Sequence, residues 1–123
     1  MKIIFLIQSL FFISLSTFAA DINPISNAFK TGNATLLIPH FDTEVDMTVS
    51  GSSTKCNATK AAEVLNVFFS TNKPTSFTVA HNADKKDSGF IVGKMTSGKN
   101  EYRVNISYRI DGNKAIIQSI RVE

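Results

Sequence analysis

The sequence predicts an α+β fold: N-terminal helices and one strand, a central amphipathic helix, then a four-stranded antiparallel meander. Apolar residues recur at helical spacing in the first half of the chain and at alternate positions in the second half. Short polar turns separate the last four apolar stretches, and the last two of these turns contain Gly and Asn. This order of elements is typical of α+β domains, in which helices cover one face of a curved sheet.

Residues 1–20 have the pattern of a secretory signal peptide. Lys2 precedes an apolar stretch, and Thr17 and Ala19 place small residues at positions −3 and −1 of a cleavage site. Cleavage after Ala19 and cleavage after Ala20 both remain open. Residues 21–123 then form a single domain, which we expect to be exported to the periplasm or the outside of the cell, with no membrane span after signal cleavage.

The charge of the mature chain disfavours nucleic-acid binding. Loss of Lys2 leaves 12 basic against 10 acidic residues, so the net charge falls from +3 to +2. The basic residues form no stripe, and a nucleic-acid partner is therefore not expected. Cys56 is the only cysteine, which excludes an internal disulfide and favours a small, partly buried hydrophobic residue.

Two short helices are expected at the start of the domain. Asn23 is placed to cap the first, with Pro24 at its first position, and Gly32 ends it. Asn33 is placed to cap the second, which Pro39 should break because proline lacks a backbone donor.

A strand and the central helix follow. The strand, Glu44–Ser50, has alternating apolar residues, and Gly51–Lys55 is expected to be a polar loop. Asn57 is placed to cap an amphipathic helix of about 14 residues. Its apolar positions are Ala61, Val64, Leu65 and Phe68, widened by Ala62 and Phe69.

The meander consists of Ser76–Asn82, Gly89–Thr96, Glu101–Ile110 and Ala115–Glu123. A three-residue loop, residues 112–114, joins the last two strands in the favoured register. That register pairs Ile110 with Ile116, Ile106 with Ile120, and Val104 with Val122. A two-residue loop would instead place Val104 opposite Arg121, so the apolar pattern selects the longer loop. Ile117 is then the only large apolar residue on the polar face of this hairpin.

Several stretches together resemble a secreted bacterial family described only as a domain of unknown function, with a nuclear transport factor 2-like (cystatin-like) fold. They are Ile25–Asn33, Phe41 with Val45-Asp46, Ala62–Leu65 with Phe68-Phe69, Ser76–His81, Tyr102–Val104 and Ile117–Glu123. The resemblance implies a strongly curved sheet wrapped around the helices, forming a cone with an internal cavity. These motifs form the fold, so the resemblance implies architecture and not activity.

His81 and Asp46 are weak catalytic candidates. His81 shares its parity with Phe77 and Val79, which places it inside the cone or at its mouth, where a histidine could act as a general base. A hydrogen-bonded histidine at the rim of the sheet is the structural alternative. Asp46 alternates with buried residues and should lie on the wet face of its strand, which argues against a pair with His81.

Two sets of binding residues are expected on opposite faces of the sheet. The pocket candidates share the apolar side: His81, Tyr102, Tyr108, Phe68, Phe69, Phe77 and Val104. The partner-surface candidates share the polar side of the hairpin: Arg103, Asn105, Arg109 and Arg121. A homodimer through that outer face and a simple solvated surface with exposed ion pairs are both open.

The favoured function is non-catalytic binding of a small apolar or amphipathic ligand, or of a protein partner. A small acid/base enzyme, isomerase- or dehydratase-like, that uses His81 is the first alternative. A structural or dimerisation domain is the second, and it would be favoured if Phe68, Phe69 and Tyr102 filled the cone. No metal-ligand spacing or phosphate-binding motif occurs, so neither a metal nor a cofactor is expected.

Overall fold

The computed structural model describes residues 19–123, so most of the predicted signal peptide lies outside the described residues. Nine elements follow in order. They are helix α1 (Asn23–Thr31), the 3₁₀ helix η1 (Ala34–His40), strands β1 (Phe41–Val49) and β2 (Ser52–Cys56), helix α2 (Ala58–Thr71), and strands β3 (Ser76–Asp84), β4 (Ser88–Ser97), β5 (Asn100–Asp111) and β6 (Lys114–Val122). The predicted α+β class is confirmed.

The six strands form one sheet in the order β2-β1-β6-β5-β4-β3. All neighbouring strands are antiparallel except β1 and β6, which are parallel. The helices pack on one side, here called the inner face, and the opposite side is the outer face. The last four strands form the expected meander, and β6 then pairs with β1 near the centre of the sheet.

Strand β2 was not predicted, because its residues were expected to form a polar loop. Ser50 and Gly51 have φ values of 54° and 81°, the positive values that a tight hairpin turn requires. Four of the five residues of β2 are exposed, so the strand has no apolar alternation by which the sequence could reveal it. The sheet therefore has six strands, where the sequence predicted five.

The starts and ends of the N-terminal helices also differ from the prediction. Ile22, not Asn23, is the N-cap of α1, and the Asn23 backbone N–H is satisfied by Asp21 Oδ1 at 3.0 Å. Asn33 does cap η1, accepting from the Thr35 N–H at 3.1 Å. Pro39 lies inside η1 instead of breaking it, because the fixed φ of proline suits a 3₁₀ helix.

Helix α2 matches its prediction. Asn57 Oδ1 accepts a hydrogen bond from the Lys60 N–H at 2.9 Å, and the helix runs for 14 residues. Its buried positions face β1 and η1. This capped helix closes the inner face of the sheet.

The hairpin of β5 and β6 combines both registers that the sequence allowed. Next to the turn, Ile110 pairs with Ala115, so the loop is the two-residue one and the predicted pairing of Ile110 with Ile116 is wrong. A bulge between Ser107 and Tyr108 adds one residue, Gln118, on β6. Beyond it, the predicted pairs of Ile106 with Ile120 and of Val104 with Val122 are confirmed.

The bulge also moves Ile117 from the outer face to the core. Ile117 is fully buried and pairs with Phe41 and Tyr108, whereas it was expected on the polar face. One extra residue reverses the facing of every side chain on one side of it, because side chains alternate along a strand. Ile116 takes its place on the outer face, where it pairs with Arg109.

Candidate functional site

The interior of the curved sheet is filled by aromatic side chains. Phe29 lies edge-on to Phe69, with 5.5 Å between ring centroids, and stacks on Phe77 at 5.2 Å. Five of the pocket candidates are buried members of this core: Phe68, Phe69, Phe77, Val104 and Tyr108. These residues pack together and fill the interior of the cone, while Phe68 also lines, with Tyr102, an open depression of about 420 Å³ at one end of it.

Tyr102 closes one end of this core. Its ring meets Phe68 edge-to-face at 5.1 Å, and its hydroxyl donates to Asn72 Oδ1 at 2.7 Å. Asn72 is the C-cap of α2, so the hydroxyl ties β5 to the end of that helix. Tyr102 is half-buried, and its polar atom is used by the fold.

Tyr108 is fully buried, and its hydroxyl is also used by the fold. The hydroxyl donates to Asp84 Oδ1 and accepts from Asn82 Nδ2 at 2.8 Å. Burial, and then the hydrogen bond to Asp84, raise the pKa of Tyr108 to about 12. This phenol is therefore neutral and hydrogen-bonded at ordinary pH.

His81 lies on the outer face and is exposed, which corrects the prediction that it points inward. A bulge in β3 between Val79 and His81 inserts Ala80 and reverses the side-chain alternation. His81 then pairs with Val92, and its ring lies 5.5 Å from that of Phe90. It has no carboxylate partner among the hydrogen bonds of the described residues.

The weak catalytic pair of His81 and Asp46 is not formed. Asp46 lies on the exposed side of β1, as its parity predicted, 3.8 Å from Lys55 Nζ. His81 is on β3, four strand spacings away in the sheet. At about 4.8 Å per spacing the two side chains lie roughly 19 Å apart, too far for proton transfer between them.

The outer face carries an open depression of about 500 Å³, here called the outer groove. Its side chains come from four strands and mix apolar, polar and charged groups: Asp46, Thr48, Phe90, Val92, Asn105, Ser107, Ser119 and Arg121. A second depression of about 500 Å³ lies beside it and shares Val92, with Lys94, Glu101, Arg103 and Glu123 around it. Three of the partner-surface candidates, Arg103, Asn105 and Arg121, thus lie where they were expected.

The fourth partner-surface candidate, Arg109, is engaged within the chain. Its Nε donates to Asp42 Oδ2 at 2.9 Å, and Gln118 Nε2 approaches the same oxygen at 3.4 Å. The hydrogen bond from Arg109 is the main cause that lowers the pKa of Asp42 to about 2. Arg109 therefore pairs β5 with β1 across β6.

Phe90 and Val92 are the site residues that sequence reasoning missed. Both are half-buried on the outer face, while Ile91 between them is buried in the core. The signal was present, because three consecutive apolar residues in a strand place apolar groups on both faces. Apart from their alternation with apolar residues, nothing in the sequence marked three further groove residues, Thr48, Ser107 and Ser119, as part of a site.

Neither a metal centre nor an activated thiol emerges from residues 19–123. Within that part of the chain no group of three His, Cys, Asp or Glu side chains is close enough to hold a metal ion. Cys56 packs half-buried against the core, and burial raises the pKa of its thiol, which disfavours the thiolate. None of the helices described is long and apolar enough to cross a membrane.

Comparison with known proteins identifies relatives and a fold. The family model described as domain of unknown function (DUF4783) matches residues 22–123. A crystal structure of a DUF4783 family protein from Bacteroides uniformis is 32% identical, with a TM-score of 0.76, over 81% of this chain and 93% of that one. A second, from Bacteroides fragilis, is 33% identical, with a TM-score of 0.74, over 81% and 94%.

More distant structures share the fold alone. A nuclear transport factor 2-like protein of unknown function from Silicibacter pomeroyi is 8% identical, with a TM-score of 0.59, over 83% of this chain and 87% of that one. None of the curated proteins compared with this chain matches it. The expected nuclear transport factor 2-like architecture is confirmed.

Proposed function

The chain belongs to the DUF4783 family, and we propose that it is a non-catalytic interaction domain that self-associates through the outer face of its sheet. The observation that carries this proposal is the contrast between the two faces. The aromatic core fills the inner face and leaves a depression of about 420 Å³ at one end, whereas the larger outer groove crosses four strands and mixes apolar with charged side chains. Of the functions that the sequence left open, the proposal corresponds to the dimerisation domain with a filled core. It includes export of the protein by the predicted signal peptide.

A second copy of the chain is the occupant that the charges of the outer groove favour. Asp46 and Arg121 both line the groove, from neighbouring strands. In a two-fold arrangement the same patch meets itself, so Asp46 of one copy can face Arg121 of the other, and the reverse. Phe90 and Val92 supply the apolar contact between the two copies.

The ion pairs of the isolated chain do not oppose this arrangement. Asp46 lies 3.8 Å from Lys55, and Arg121 lies 3.2 Å from Glu123, with all four side chains largely exposed. Exposed pairs contribute at most about 1 kcal/mol, so exchanging them for contacts across an interface costs little. With only two large apolar residues in the groove, we expect an association in the micromolar range.

Sedimentation velocity over a wide range of protein concentration tests the proposal. We expect Arg121→Glu to weaken self-association at least tenfold, because it places like charges opposite each other. Combining Asp46→Lys with Arg121→Glu should restore association. The matched control is the exchange Lys60→Glu with Glu63→Lys on α2, which leaves the outer face unchanged.

A chain that stays monomeric at millimolar concentration would contradict self-association. A wild-type chain that dimerises without any response to Arg121→Glu would place the interface elsewhere. Binding of a different protein to the monomer through Phe90 and Val92 would retain the outer groove as the site but replace the second copy as its occupant.

A further inference from the structure

Ala20 is held in the fold although it directly follows the exposed Ala19. Only 7% of Ala20 is exposed, and its methyl group belongs to the hydrophobic core. Its backbone nitrogen donates to Asp84 Oδ2 at 3.0 Å, across 64 residues of sequence. Ala20 is therefore part of the folded domain.

The residues after Ala20 fix its position. The Asp21 N–H donates to the Asn113 carbonyl oxygen at 2.8 Å, and Asp21 forms a parallel bridge with Lys114. Asp21 Oδ1 accepts from the N–H of Asn23, where α1 begins. The nitrogen of Ala20 is thus held close to Asp84 by the start of β6 on one side and by α1 on the other.

Asp84 is itself oriented by a buried partner. Its Oδ1 accepts from the hydroxyl of Tyr108, and that hydroxyl is held in turn by Asn82. Oδ2 is then free to face the nitrogen of Ala20. A carboxylate held in this way is a suitable acceptor for a cation at that nitrogen.

We propose that the mature chain begins at Ala20 and that its α-ammonium group forms an ion pair with Asp84. The proposal rests on the predicted signal peptide and is independent of self-association. A membrane-bound signal peptidase hydrolyses the bond between the Ala19 carbonyl carbon and the Ala20 nitrogen. Water supplies the hydroxyl that leaves Ala19 as a carboxylate and the proton that leaves Ala20 as an amine, which is protonated at neutral pH.

The structure distinguishes the two cleavage positions that the sequence left open. Cleavage after Ala20 would remove a buried methyl group and the donor to Asp84 Oδ2. Cleavage after Ala19 keeps both and adds a positive charge beside the carboxylate. Cleavage precedes folding during export, so the burial of Ala20 in the folded domain does not block it.

The N-terminus of the exported protein tests the cleavage position. The full gene is expressed with its leader in a bacterial host, and the processed protein is analysed by N-terminal sequencing and intact mass. We expect the chain to begin at Ala20. A chain that begins at Asp21 or beyond, or one that keeps the leader, would overturn the proposal.

Reactivity of the α-amine tests the ion pair. Only the unprotonated amine is acylated, so pairing with Asp84 slows its reaction with an amine-reactive ester near pH 7.5, as measured by mass spectrometry of the N-terminal peptide. The other titratable groups around this amine are Tyr108 on β5, Asp21, Lys114 on β6, and His40 at the end of η1, which lies near both Asp21 and Lys114. We expect Asp84→Asn to speed acylation threefold or more.

Two controls keep this second test decisive. Asp87→Asn alters an exposed acid of the same β3–β4 turn and should leave the rate unchanged. If Asp84→Asn fails to fold, wild-type protein is compared with a free peptide of residues 20–29, which should react at least threefold faster. Equal rates in wild-type protein and Asp84→Asn, or in protein and peptide, would show that the amine does not pair with Asp84.

Discussion

Side chains pack tightly against the inner face of the sheet, and two glycines of β4 show how little space is left there. A Cβ on Gly93 would lie 2.5 Å from Phe77 Cζ, and a Cβ on Gly89 would lie 2.6 Å from Tyr108 Cζ and 2.7 Å from the Ala83 carbonyl oxygen. In both places a ring of a neighbouring strand lies over the backbone of β4. The aromatic residues reach the core only because β4 has no side chain at these points.

We expect Gly93→Ala to lower the free energy of unfolding by about 1–3 kcal/mol, because it overpacks the core against Phe77. Phe77→Leu in the same chain should recover part of that loss, since a shorter side chain vacates the space. Gly89→Ala is the matched comparison, and Tyr108→Phe should not rescue it, because the ring and the Ala83 carbonyl oxygen remain. Urea denaturation measures all four variants against the wild type. Equal rescue at both sites would contradict this account.

The buried hydroxyl of Tyr108 predicts a loss of stability at alkaline pH. Its pKa in the folded chain, about 12, lies above the ordinary value of 10, so folding favours the protonated phenol. The stabilisation is complete below pH 10 and is lost as the pH rises through 12. Tyr108→Phe should be less stable at neutral pH, but its stability should fall less between pH 9 and pH 11.5 in urea titrations.

Tyr102→Phe is the control for this pH dependence. It also loses a hydrogen-bonded hydroxyl, the one donated to Asn72, but it leaves Tyr108 intact. The alkaline loss of stability should therefore persist in Tyr102→Phe. A Tyr108→Phe chain with the same alkaline loss as wild type would show that other groups cause it.

At the scale of elements, the sequence predicts most of the strands and the central helix, but it does not predict two β-bulges. The strands of the meander follow from alternation, and the helix after Asn57 follows from its cap and apolar stripe. The positions of the extra residues Ala80 and Gln118 do not follow from the sequence, because nothing in a single sequence marks where alternation is interrupted. His81 and Ile117 were assigned to the wrong face for this one reason.

Removing the bulge tests its role in the hairpin. We expect deletion of Gln118 to cost more than about 3 kcal/mol of unfolding free energy, because the strand would either lose its register or turn its apolar side chains outward. Gln118→Ser keeps the residue count and should cost less than about 1 kcal/mol, since it loses only the 3.4 Å contact with Asp42. Thermal or urea denaturation compares the two. A mild effect of the deletion would show that the register tolerates a slip.

For the whole molecule, the main departure from expectation is that the cone is filled. The family resemblance implied an internal cavity, and the sequence supplied the residues that would line it. Whether such residues enclose space or fill it depends on how closely two helices approach the sheet, which the apolar pattern does not encode. The candidate site is therefore on the outer face, which the polar residues Arg103, Asn105 and Arg121 had indicated and whose apolar part the triple apolar stretch around Ile91 signalled.

Phe29 offers a direct test of this filled interior. It is fully buried between Phe69 and Phe77, so we expect Phe29→Ala to cost about 3–5 kcal/mol and to open an apolar cavity. Added benzene should then raise the thermal midpoint of the variant but not that of wild type. Val67→Ala, at a position that is 64% exposed, is the control and should change stability by no more than about 0.5 kcal/mol. Stabilisation of the wild type by benzene would reveal a cavity already present.

The place of β6 in the sheet has a consequence for the order of folding. This strand is the last of the chain, yet it lies between β1 and β5 and bridges the first and last parts of the sequence. Contacts between residues so distant in sequence form slowly, because a long loop must close first. As the chain is synthesised from its N-terminus, β1 has no parallel partner until β6 has been made. The pair β2-β1 and the three strands β3, β4 and β5 thus become one sheet only when β6 joins them.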